Sequence, residues 1–445
     1  APIYMSIFDR LFGSGKNSAP PDIPFGRYTD AYKTDAQQRA FDRSLELFDE
    51  GKHLEAYRDF MTYLKDPQVD NIEWKEADGV LEFEFWQGSQ HIIGVATADK
   101  VKAESKIARA DDLNVGFLRR LMEANFNLKF SRFALAPDNS LAILFDTHVT
   151  DGSPYKLLYA LRELAIHADK QDDLLLDEFK TLRAVQERTF GDIQEVEKEV
   201  KYNFLRSKIE AVFSEMDKAK PDPNTYPGTY AYLLLALAFK LDYLVRPEGF
   251  MMDTMERVHG IYFAKNDRTP QVKVTSIRKE FQKLLDRPKE AFFKEMYRTR
   301  STFGINPAVN HDSIVSLIEG ELPNMEWPLQ QNYETLALAV PQYVAGFALF
   351  HYAPPKPDRE LFHLFFQIAE PAFFRDLGFQ IPYTDANGRL NRSEISKGIK
   401  NVAERNRVQY PYLRPNTDRL DFSSPVLFAK SYLLMMKELN LTKET

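Results

Sequence analysis

The stretch ILFDTHVTDGS, Ile143 to Ser153, places Asp146, His148 and Asp151 within six residues, where an apolar run meets a Gly-Ser-Pro turn. Acid, imidazole and acid at the mouth of a strand is the raw material of a metal site or a hydrolytic dyad. The alternation argues otherwise. Ile143 and Phe145 share one face, and Leu144, Asp146 and His148 share the other. Asp151-Gly152 reads as a turn, and Ser153-Pro154 as the N-cap and first residue of a helix. The expectation is a solvent-facing strand end.

A second pattern is Glu-x-x-His. Two copies fall on helical segments, Glu256/His259 and Glu360/His363. Residues i and i+3 project from one helix face, so two such pairs with two further glutamates can hold a di-iron centre. A third copy, Glu50/His53, straddles Gly51 and cannot be a helical pair. The segment 230–245 has no Glu, and only Glu334 lies upstream of the second pair. No metal and no cofactor are therefore expected, and a metal-dependent, di-iron-like enzyme or oxidoreductase in the C-terminal region stands as the rival reading. Residues 383–394, YTDANGRLNRSE, match five places of a calcium-binding EF-hand loop, but Tyr383 occupies the first ligand position. An Asx-type turn leading into a helix from Ser393 is expected instead. GSGKNS lacks the first glycine and the Ser or Thr of a phosphate loop. No Gly-x-Ser-x-Gly, His-Glu-x-x-His or Gly-x-Gly-x-x-Gly motif is present. No residue is singled out as catalytic, and the protein is expected not to be an enzyme.

With 445 residues the chain has room for several domains. Its net charge is −7, from 58 basic and 65 acidic residues, so nucleic acid is not an expected partner. A basic run holds Lys279, Lys283, Lys289, Lys294, Arg298 and Arg300. It reads as a solvated helix exterior, with a docking patch for an acidic partner as the sharper reading. Cysteine is absent, which removes disulfides and zinc–thiolate sites and fits a cytoplasmic location. The longest apolar run, Tyr230 to Phe239, stops at Lys240 and Asp242 and falls short of the ~18–20 residues of a membrane span. A buried helix is expected, without integral membrane insertion. Met5 to Gly13 can place Ile7, Phe8, Leu11 and Phe12 on one helical face, expected to dock on the protein itself.

These residues must be positioned by a chain that changes character along its length. Residues 1–35 are a Pro-, Gly- and Ser-rich arm. Residues 36–68 form a helical hairpin, with Phe41, Leu45 and Phe48 on one stripe and Leu54, Tyr57, Phe60, Met61 and Leu64 on the next. Over 70–180 the pattern predicts strands at 80–86, 91–97 and 101–108, a helix carrying Phe117 and Leu121, two more strands, and a helix from Ser153. Residues 181–220 are charged connecting helices, bounded by KPDPNTYPG. Residues 221–445 are helical with Pro-rich joints. A weak repeat there, with joints at Arg246-Pro247-Glu248 and Lys356-Pro357-Asp358, suggests two similar lobes. The fold class is α+β and predominantly helical: a central antiparallel sheet domain of three strands, helix, two strands and helix, with a large all-α C-terminal region.

Two segments resemble known families. The hairpin is similar to a single tetratricopeptide unit: Ser44, Leu47, Ala56 and Phe60 supply its small, large, small and aromatic places. It departs at Tyr63, and a generic hairpin remains open. Either way one unit cannot bury its own face and must pack on something else. Residues 70–180 resemble the YbjN-like family, which shares the fold of type III secretion chaperones. The likeness is carried by LRRLMEANFNLKFSRFALAPDNSLAILFDTHVTDGSPYKLLYALRELAIHAD. The resemblance implies a domain that binds proteins, often dimerises and is not an enzyme. The expected function is a chaperone or scaffold that holds a protein partner, through a sheet edge or a helical groove. A self-assembling structural subunit is the third reading.

Overall fold

The computed structural model describes residues 20–26, 33–66, 70–110, 115–179, 181–185, 191–299, 306–385 and 387–443. The helix expected at Met5–Gly13 and the phosphate-loop-like GSGKNS lie outside the described residues.

The hairpin consists of α1 (Asp35–Asp49) and α2 (His53–Leu64). Thr34 and Gln37 start α1 with a reciprocal capping box, and Gly51, at φ 79°, turns the chain between the helices. The inner face of α2 (Tyr57, Phe60, Met61 and Leu64) is buried in the same core as the sheet that follows.

The sheet is seven-stranded and antiparallel. Its strands are β1 (Ile72–Ala77), β2 (Val80–Gln87), β3 (Gln90–Ala96), β4 (Lys100–Ala110), β5 (Arg132–Leu135), β6 (Ser140–His148) and β7 (Leu182–Ala184). The spatial order is β1-β2-β3-β4-β6-β5, with β7 joining β4 beyond a bulge between Lys106 and Ala108. Helix α3 (Val115–Asn127) precedes β5, and α4 (Pro154–Glu178) follows β6, starting at the Ser153 cap with Pro154 in its first turn. Helices α2 and α4 cover the sheet face that carries Leu81, Phe85, Ile92, Ala103, Ile143 and Phe145. The opposite face carries Glu73, Glu82, Glu84, Ile93 and Lys102. The sheet thus has one strand before and one after the pattern read from the sequence. Strand β1 was hidden because only Ile72 is fully buried and most of its other residues are charged. Its Asp78-Gly79 turn, with φ of 52° and 75°, is the hairpin type that tolerates positive φ at both central positions.

The C-terminal region is helical. Its elements are α5 (Glu195–Asp217), α6 (Pro227–Val245), α7 (Gly249–Phe263), α8 (Pro270–Asp286), α9 (Lys289–Lys294), α10 (His311–Glu321), α11 (Glu326–Gln330), α12 (Glu334–His351), α13 (Lys356–Ala369), α14 (Pro371–Asp376), α15 (Arg392–Asn406) and α16 (Pro425–Lys437). Among the described residues, α6 is the one helix long and apolar enough to cross a membrane, and it is mostly buried among its neighbours. It packs on α12, the matching helix of the weak repeat, and both belong to one hydrophobic core. The two joints differ: Arg246 is left-handed at φ 53°, whereas Tyr352 is extended.

A buried ionic cluster and a half-buried one tie the helices. Glu370 accepts from Lys240 Nζ at 2.7 Å and lies 2.5 Å from Lys208 Nζ, joining α5, α6 and the start of α14. Helix α4 bridges the sheet domain to the helical region. Its Asp169 accepts from Ser89 N at 2.9 Å, and its Asp172 accepts from Ser89 Oγ at 2.6 Å and Gln90 Nε2 at 2.7 Å. On its other side Lys170 pairs with Asp253 and Glu256 of α7 at 2.5 and 3.1 Å. The arm also crosses to the helical region, where Gly26 N donates to Tyr243 O at 2.8 Å.

Candidate functional site

Helix α3 has two apolar faces. Phe117 and Leu121 are buried in the core of the sheet domain. Val115, Leu118, Met122 and Phe126 recur at spacings of three, four and four, which lines them up on another face. All four are exposed, Met122 at 70% and Phe126 at 90%. Single exposed apolar side chains are ordinary, whereas a contiguous apolar stripe marks an interaction surface. The sequence reading found the inner face and missed the outer one, although both are legible in VGFLRRLMEANFN.

The neighbouring edge strand β5 is not an open template. Phe133 N donates to Asn125 Oδ1 at 2.7 Å, and Asn125 Nδ2 donates to Phe133 O at 3.2 Å. Glu163 of α4 accepts from the backbone N–H groups of Lys129, Phe130 and Ser131 at 2.8–2.9 Å. Burial pushes the Glu163 carboxyl up, but these hydrogen bonds outweigh it and hold the group below its ordinary range. The four residues of β5 are thus sealed at their centre by α3 and anchored at their start by α4, which disfavours strand addition there. Beside this sealed edge, the outer face of α3 remains an exposed apolar surface.

The residues marked by type and spacing go elsewhere. Asp146 pairs with Arg132 at 2.6 Å, and His148 and Asp151 are exposed while Ile143 and Phe145 are buried, as the alternation requires. Glu256 is held by Lys170. His259 stacks among aromatic rings, 4.7 Å from Phe263 and 5.7 Å from His351 between centroids, and burial and the neighbouring His351 lower its pKa. Glu360 accepts from Asn406 Nδ2 at 2.9 Å and Arg405 Nη2 at 3.2 Å. His363 Nδ1 lies 3.0 Å from the Tyr243 hydroxyl. Among the described residues no three His, Cys, Asp or Glu side chains converge as a ligand set. The two Glu-x-x-His pairs are used separately, one for docking and one for lining a cavity. Asp385 turns its carboxylate onto the backbone N–H groups of Asn387 and Arg389 at 2.8 and 2.9 Å, the expected Asx-type turn, although Asn391 rather than Ser393 caps the following helix. In the basic run Lys283 pairs with Glu280, Lys289 with Glu199 and Arg298 with Asp22. Arg300 lies outside the described residues.

His363 belongs to a cavity of about 550 Å³ between the end of α12, α13 and α15. Phe25 of the arm packs on it, with ring centroids 5.1 Å apart. Burial depresses the His363 pKa from 6.5 to about 4. Between those values the unfolded chain takes up a proton that the folded chain refuses, so stability is complete above pH 6.5 and falls as pH falls toward 4. The loss from this residue is about 3 kcal/mol. Urea unfolding at pH 7.5 and 4.5 should show a smaller pH dependence for His363→Gln than for the parent protein. Identical dependence in the two would contradict this assignment.

No known protein-family profile matches the chain, and no curated protein is similar to it in sequence.

Proposed function

We propose that the protein binds another protein, as a chaperone or scaffold, through the outer face of α3. The observation that carries this reading is the exposed stripe of Val115, Leu118, Met122 and Phe126 beside a sealed sheet edge. A partner covering these side chains removes their apolar surface from water, worth about 25 cal/mol per Å² before the costs of association. Met and Phe suit such a surface: Met adapts to irregular partners, and aromatic side chains dominate binding hot spots. The likeness of residues 70–180 to protein-holding domains supports the same reading. The stripe serves a foreign chain or a second copy equally well in physical terms, and the test separates them.

The test compares the parent with Met122→Asp/Phe126→Asp. Both positions are exposed, so the double variant should keep the circular dichroism spectrum and melting temperature of the parent. Affinity capture from a lysate of the native cell should recover a specific protein with the parent and lose it with the variant. Light scattering in parallel should show a concentration-dependent dimer, lost in the variant, if the partner is a second copy. A parent that is strictly monomeric and captures nothing the variant does not also capture would overturn the proposal.

A further inference from the structure

We infer that the cavity beside His363 binds a small organic acid, with its anionic group at Arg359 and its body against the aromatic walls. This goes beyond the protein-binding proposal and uses a different part of the molecule. The volume, about 550 Å³, suits a small molecule. The walls combine polar side chains with Tyr243, Tyr352, Tyr383 and the arm residue Phe25.

The unused hydrogen-bonding capacity of the lining points to a ligand. The side chains of Arg359, Gln367, Asn401 and Tyr383 make no hydrogen bond or ion pair among the described residues. His363 spends Nδ1 on Tyr243 and has no partner for Nε2 there. Arg359 and Asn401 are exposed and Gln367, Tyr383 and His363 are half-buried, so their unspent donors and acceptors are open to a small molecule that enters this concave wall. The charge fixes its sign. Arg405 is partly matched by Glu360, at 3.2 Å, which leaves the Arg359 guanidinium as the uncompensated charge of the wall. A guanidinium presents paired N–H donors that fit a carboxylate or phosphate in bidentate fashion. Gln367, Asn401 and Tyr383 add neutral donors. A cation would meet two guanidinium groups and a single, already bonded carboxylate.

The experiment is a saturation-transfer NMR screen of the full chain. It uses matched pairs of small aromatic and aliphatic carboxylic acids and their neutral amides, a set of phosphate monoesters, and inorganic phosphate. Acids should bind and their amides should bind at least roughly tenfold more weakly. Carboxylic acids and phosphate monoesters both satisfy the inference, and their ranking identifies the source. Arg359→Met should weaken binding at least roughly tenfold, with Arg359→Lys restoring part of it. Arg359 makes no ion pair of its own, so the melting temperature of Arg359→Met should equal the parent's. Three results would overturn the inference: acids and amides binding alike, acid binding that survives Arg359→Met, or no organic acid binding more tightly than inorganic phosphate.

Discussion

Glu370→Gln is expected to lower the stability of the helical region by about 3–5 kcal/mol at pH 7. Glu370 is 6% exposed and lies between two lysines, one of which, Lys240, is also 6% exposed. Burial pushes the Glu370 carboxyl up, but Lys240 and Lys208 outweigh it and hold the group below its ordinary range. Burial moves the Lys240 amine the opposite way to its carboxylate-induced shift, and the net effect is downward. The carboxylate sustains both amines, while Lys208 and Lys240 oppose each other. Removing the middle one leaves two like charges facing each other, one of them out of water, and a buried unpaired charge is among the costliest defects a core can carry. Glutamine preserves the shape, so the loss reports charge rather than packing. The second change, Lys240→Met, removes the stranded amine and should recover most of the loss, because replacing a buried ion pair by an apolar group is close to neutral. The readout is urea unfolding followed through Trp327, which stacks on Tyr226 at 4.3 Å in the helical region, in a Trp74→Phe/Trp86→Phe background. A loss below about 1 kcal/mol would show that the cluster is solvated and is not a structural tie.

Gly346→Leu should be the second severe change. Gly346 sits where α12 crosses α6, and a Cβ there would lie 2.8 Å from Phe239 Cβ, 3.4 Å from its carbonyl carbon and 3.5 Å from Lys240 N. These are atoms at or next to the backbone, so they cannot swing aside as a side-chain tip can. Gly346→Ala already places a Cβ in this contact, so the clash should outweigh its helix-propensity gain of about 1 kcal/mol and leave the variant destabilised. Gly346→Leu must push the helices apart, at a cost of about 1–3 kcal/mol or more. The same displacement would strain Lys240 and its partner Glu370, so the loss should be smaller when measured in Glu370→Gln/Lys240→Met. Thermal unfolding of the single and combined variants checks this, and a Gly346→Leu protein as stable as Gly346→Ala would contradict the close helix crossing.

The fold was legible where one physical rule acted alone. Alternation located β2 and β4, and Ser153-Pro154 marked the start of α4. The apolar run at Tyr230–Phe239 lies within a buried helix. Strand β1 escaped because three of its six residues are charged and only Ile72 is fully buried, although Asp78-Gly79 marks its turn. The outer stripe of α3 escaped for a different reason. A helix read for the face that packs yields Phe117 and Leu121, and nothing in local spacing says which of two apolar stripes the fold will cover. The Glu-x-x-His pairs show the limit of motif spacing. It placed each pair on a helix, at Glu256/His259 and Glu360/His363, but it could not foresee Lys170 arriving from α4 or Tyr243 from α6. Those partners come from distant sequence and decide what each carboxylate and imidazole does.

If a protein partner covers the outer face of α3, hydrogen–deuterium exchange on the full chain, alone and with the partner that the capture experiment identifies, should slow at 115–127, with little change in α6 and α12. Protection confined to the uncovered sheet face around Ile93, or to the helical region, with 115–127 unchanged, would contradict that placement.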